Sequence, residues 1–106
     1  MISEEDKTLI SDRWYSLAHY IYHDATNFRG IKTIVDQLED LFDNTKGIRK
    51  DIKSVLNIEL QNIRDALSKK DVSKVLDTFD NLTTKLQTNL RIRIDPYYIR
   101  DRRFES

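Results

Sequence analysis

Apolar residues recur at steps of three and four from Ser3 to about Ile92, and little interrupts them. Such spacing is one face of an α-helix. Only two glycines and one proline occur in 106 residues, so few positions can break a helix. The chain is therefore expected to be all-α: a small antiparallel helical bundle over residues 1–94, followed by an extended C-terminal tail over 95–106. Pro96 divides the two.

Ser3 is a good N-cap, and Glu4, Glu5 and Asp6 suit the positive first turn of a helix. Ile10, Trp14, Leu17 and Ile21 form the first stripe, widened by Leu9, Ala18 and Tyr22. Phe28, Ile31, Val35, Leu38 and Phe42 form the second, flanked by Ile34 and Leu41. Ile21 to Phe28 is one seven-residue step, so the two stripes stay in phase. Residues 3–44 are then either one helix or two. Asn27 and Gly30 weaken helix at the junction, which favours a break between Asp24 and Gly30. A continuous helix would run about 60 Å against about 33 Å for each later helix. Its overhanging apolar stripe would demand a second subunit, so the bundle has four helices, or three with a possible homodimer.

Gly47 suits the left-handed position after a helix. A third helix carries Ile48, Ile52, Val55, Leu56, Leu60, Ile63 and Leu67. Ser68-Lys69-Lys70-Asp71 reads as a tight turn, with Asp71 capping a fourth helix that carries Val72, Val75, Leu76, Phe79, Leu82, Leu86 and Leu90. These two helices make an antiparallel hairpin. The expected core is Ile10, Trp14, Leu17, Ile21, Phe28, Ile31, Val35, Leu38, Phe42, Ile52, Leu56, Leu60, Ile63, Leu67, Val72, Leu76, Phe79, Leu82, Leu86 and Leu90. Ile94 and Asp95 should be extended, because residues before proline avoid the helical region.

Eighteen Lys+Arg residues balance eighteen Asp+Glu. That argues against a surface that is nucleic-acid footprint throughout. With no cysteine, disulfides, thiol catalysis and zinc-thiolate sites are excluded. The acidic start, Met1 to Asp6, lacks the pattern of a signal peptide. No stretch approaches the roughly 20 apolar residues that span a bilayer. A cytoplasmic protein with no membrane role and no cofactor is expected.

His19 and His23 lie one helical turn apart, with Asp12 seven residues before His19 on the same side. Helical metal sites need three or four ligands from facing helices, and no Glu-x-x-His pair is present. Two half-exposed polar histidines are the plainer reading. Tyr15 and Tyr22, with His19 between them, offer an amphipathic contact surface. Asp36, Glu39, Asp40 and Asp43 make an acidic run; Lys46, Arg49, Lys50 and Lys53 make a basic one. Solvated faces pairing across the intervening turn explain both.

Arg13 and His19, separated by five residues, resemble the arginine-histidine motif of helical ribonucleases of the HEPN type. That resemblance implies phosphodiester chemistry across a dimer. Trp14 after the arginine, and the place of the motif in the first helix, depart from the family pattern.

The tail interleaves arginine with aromatic residues. From Arg91 to Ser106 five arginines face Asp95, Asp101 and Glu105, a net of +2. Tyr97, Tyr98, Arg100, Arg102, Arg103 and Phe104 are the candidate partner-binding anchors, since tyrosine and arginine are common interface anchors. A protein partner is the first expectation, with a non-enzymatic interaction module as the function. In size and architecture the chain resembles bacteriocin immunity proteins and viral accessory factors. Nucleic-acid binding is the alternative, through the tail together with Arg49, Lys50, Lys53, Arg91 and Arg93. The tail folding back to cover the bundle end is the third.

Overall fold

The computed structural model describes residues 2–94 and shows four α-helices among them: α1 (Glu4–His23), α2 (Phe28–Asn44), α3 (Lys50–Ser68) and α4 (Val72–Asn89). Helix α1 packs on α2, α2 on α3, and α3 on α4. Side chains close the fourth side. Trp14 of α1 stacks on Phe79 of α4 with ring centroids 5.4 Å apart. Tyr22 meets the same ring edge-on at 6.0 Å.

Each helix begins where the chain supplies a cap or a turn. Ser3 Oγ accepts from the Asp6 N–H at 3.1 Å, and Asp71 Oδ1 accepts from the Lys74 N–H at 3.0 Å. The first two stripes belong to separate helices. Asn27 Oδ1 accepts from the Gly30 N–H at 2.9 Å and so caps α2. A Cβ on Gly30 would lie 2.8 Å from Tyr20 Cε1, so the absent side chain lets α1 and its ring approach the first turn of α2. With α1 and α2 distinct, no helix overhangs, and the case for an obligate second subunit does not arise.

Helix α3 ends in a Schellman turn. The Lys70 N–H donates to the Leu67 carbonyl and the Asp71 N–H to the Ala66 carbonyl, both at 3.0 Å. The turn puts Lys70 at φ 54°, in the left-handed region. Gly47, at φ 94°, occupies that region in the α2–α3 turn, where glycine carries no penalty.

Trp14, Phe42, Phe79, Ile10, Leu17, Ile31, Val35, Leu38, Leu56, Leu60, Ile63, Leu82 and Leu86 are fully buried. Each such side chain contributes about 1.5–3 kcal/mol relative to exposure. Four expected core residues differ. Phe28, Ile52 and Leu76 are half-buried, and Val72 is 38% exposed because it opens α4 beside the turn. Leu9, expected to widen the first stripe, is exposed. Conversely Ile2, Ala18, Tyr22, Ile34, Ala66, Val75, Ile92 and Ile94 are buried. Helix α4 stops at Asn89, short of the expected Ile92. Residues 91–94 leave the helix as a non-helical strap, with Arg91 at φ 54° and the Ile92 N–H donating to the Leu86 carbonyl at 3.3 Å.

Candidate interaction surface at the end of the bundle

The antiparallel order brings the start of α1, the α2–α3 turn and the end of α4 to one end. Between them lies an open groove of about 250 Å³. Ile2, Ile48, Ile52 and Leu90 supply its apolar lining, and Lys7, Arg49 and Arg91 its charges. No carboxylate lines it among the described residues. A second depression adjoins it, lined by Lys7, Arg91 and Arg93 together with Glu4.

The strap after α4 builds this end. Ile92 and Ile94 are each 3% exposed, whereas Arg91 and Arg93 are exposed. Alternation of this kind is the two-residue period of extended chain. The two isoleucines anchor the strap, and neither arginine makes an ion pair among the described residues. Lys7 reaches Glu4 only at 3.5 Å. Arg49 precedes α3 and offers it no side-chain cap. Its guanidinium instead pairs with Asp51 at 2.6 Å. That hydrogen bond holds the Asp51 carboxyl below its ordinary value and raises Arg49.

The acidic and basic runs do not pair as expected. Asp36 and Glu39 both bind Arg64 of α3, at 2.7 and 2.9 Å. Hydrogen bonds from Lys32 and then Arg64 lower the Asp36 carboxyl. Burial alone would depress Arg64, but its bonds to Asp36 and Glu39 outweigh that and raise it. Lys53 donates to the Asp43 backbone carbonyl at 3.3 Å rather than to a carboxylate. Lys46, Lys50 and Arg49 thus gain nothing from the acidic run, and Lys46 and Lys50 are left facing solvent.

Elsewhere the candidates separate. Tyr22 is buried and so cannot share a surface with Tyr15. Tyr15 is half-buried, edge-on to Trp14 at 4.8 Å. Tyr15, Ser16, His19 and Tyr20 line a shallow depression instead. His19 and His23 are exposed with ring centroids 5.0 Å apart. No group of three or more His, Cys, Asp or Glu side chains converges among the described residues. Arg13 donates to Gln37 Oε1 of α2 at 2.9 Å, and Trp14 beside it is core. No helix of the described residues is long and apolar enough to cross a membrane. Tyr97, Tyr98, Arg100, Arg102, Arg103 and Phe104 lie outside the described residues.

Reasoning from the sequence missed Lys7 and the apolar lining as parts of one surface. The alternation of Arg91, Ile92, Arg93 and Ile94 is the signal that marks the strap. No protein-family model, curated protein or solved structure matches the chain.

Proposed function

We propose that the protein is a non-enzymatic interaction module that binds a protein partner through the end of the bundle that carries the C-terminal strap. The strap carries this reading. Its isoleucines are buried while Arg91 and Arg93 face solvent without ion pairs among the described residues. These arginines run directly into the Arg- and Tyr-rich residues 95–106, and arginine and tyrosine are the residue types that most often anchor interfaces. The net charge of zero fits a protein partner better than a polyanion.

The cations Lys50, Arg91 and Arg93, which make no ion pair among the described residues, favour one second reading, nucleic-acid binding. The two readings part on salt. Phosphate contacts release counterions and give steep salt dependence, whereas an apolar anchor does not. The test uses the full chain and a chain ending at Ile94, both checked for helicity. The interaction-module reading expects a protein partner captured by the first and more weakly by the second, and no saturable oligonucleotide binding at low salt. Failure of the full chain to capture a protein partner, or oligonucleotide binding that weakens steeply with salt, refutes it.

A further inference from the structure

The groove beside the strap has a chemistry of its own. Its lining is aliphatic, its charges are all positive, and its volume of about 250 Å³ falls below the roughly 300–1,000 Å³ of small-molecule sites. It is the size of a pocket for one large side chain. We propose that this groove binds an acidic peptide segment of a protein partner, seating one aliphatic or aromatic side chain on Ile2, Ile48, Ile52 and Leu90 while neighbouring carboxylates meet Lys7, Arg49 and Arg91. The proposal rests on the interaction-module reading and names the partner's chemistry.

Charge complementarity selects the occupant. The three cations come from three separate parts of the fold, with no acid among the lining residues described. The Lys7 bond to Glu4 is long, and the Arg49–Asp51 pair lies in solvent with both side chains more than half exposed. Incoming carboxylates therefore displace little. The α3 start adds the partial positive charge of a helix N-terminus behind Arg49 and Ile52.

Nucleic acid fits this groove poorly. Bases stack on aromatic side chains, and none lines the groove among the described residues. Three cations are also fewer than the roughly 6–10 phosphate contacts of a typical footprint. Isoleucine and leucine instead suit a buried apolar anchor, ringed by charges that steer encounter and fix register.

Arg91 provides a clean variant. It sits at φ 54°, so Arg91→Gly removes a groove cation while relieving a left-handed residue. The probe is a short fluorescein-labelled peptide with one leucine flanked by aspartates and glutamates, titrated against the full chain by anisotropy. Saturable binding is expected. Arg91→Gly should weaken it roughly tenfold, as should Lys7→Gln, the scale of one charge-assisted contact. Replacing the peptide's leucine by serine should weaken it by a similar factor.

Absence of saturable binding overturns the proposal. Equal binding of the leucine-free peptide overturns it too, by reducing the effect to charge alone. Displacement of the peptide by self-association of the chain, seen as a concentration-dependent mass lost in Arg91→Gly, assigns the groove to a second copy and also overturns it. A protein partner captured equally by wild type and Arg91→Gly refutes the groove but leaves the interaction module standing. Salt-steep oligonucleotide binding refutes both.

Discussion

Replacing Thr83 by valine changes one hydroxyl to a methyl at the centre of the bundle. The Trp14 indole Nε1 donates to Thr83 Oγ1 at 2.8 Å, and this bond joins the first helix to the last. Trp14 is fully buried and Thr83 is 5% exposed, so no solvent can replace the lost acceptor. An indole N–H left without a partner there costs about 1–3 kcal/mol. Against that, the buried methyl contributes about 0.8 kcal/mol of hydrophobic stabilisation at most. Thr83 Oγ1 also donates to the Phe79 carbonyl at 2.9 Å, but a mid-helix carbonyl keeps its backbone partner. The two residues are close in shape, although valine favours a single χ1 rotamer in a helix where threonine divides between two. The net expectation is a loss of about 0.5–2 kcal/mol.

Urea unfolding followed by fluorescence of the single tryptophan measures it directly. The midpoint should fall with the slope unchanged, since the surface exposed on unfolding is the same. In a thermal scan the loss corresponds to about 4–8 °C per kcal/mol for a domain of this size. Specificity comes from a second background. In Trp14→Phe, which has no indole N–H, Thr83→Val should be neutral or stabilising when followed by circular dichroism. Thr83→Val as stable as the wild type in the native background would falsify the account of how α1 is tied to α4.

Other consequences follow from single side chains. Tyr22 Oη is buried without a hydrogen-bond partner among the described residues, so Tyr22→Phe should leave stability unchanged or raise it by up to about 1 kcal/mol, and a loss above that would reveal an unrecognised partner. Lys70 and Gly47 both hold positive φ, so Lys70→Gly should stabilise by about 0.5–1 kcal/mol while Gly47→Ala destabilises by about 1 kcal/mol; equal shifts in urea midpoint would refute the backbone argument. Hydrogen bonds from Lys32 and Arg64 place the folded Asp36 carboxyl below its ordinary 3.8. Its contribution is therefore present above that pH and fades as pH falls through the lower folded value. Asp36→Asn should cost under about 1 kcal/mol near neutrality, because the carboxylate is partly solvated, and nothing in strong acid. A deficit that persists undiminished in strong acid would assign the effect to something other than charge.

The helices were legible because each carries a stripe at helical spacing and most carry their own caps. Asp71 shows this best, as a capping residue placed one step before a new stripe. The α1–α2 break was harder for a physical reason. Ile21 to Phe28 keeps phase whether the chain continues or turns, so periodicity alone cannot register the break. Only the pairing of Asn27 with the N–H of Gly30 decides it. Single stripes also understate burial. A helix in a bundle touches more than one neighbour, so Ala66, Thr78 and Thr83 are buried outside the expected stripes. Val72 goes the other way, since a residue in the first turn beside a connection has neighbours on one side only.

The groove was illegible for a deeper reason. Lys7, Arg49 and Arg91 stand forty-two residues apart in sequence, and only the antiparallel order of the helices brings them together. Each alone reads as a solvated charge. One local clue did exist, in the strap. Where α4 stops, the pattern changes from a period of 3.6 to a period of two, and Ile92 and Ile94 point inward exactly as often as Arg91 and Arg93 stay out. Reading that switch as continued helix scatters the four residues around an axis. As a non-helical strap, the same residues bind the chain to the bundle through Ile92 and Ile94 and leave Arg91 and Arg93 exposed. The change of period therefore does at this end what a motif does elsewhere, by marking where burial is spent on holding charge in place.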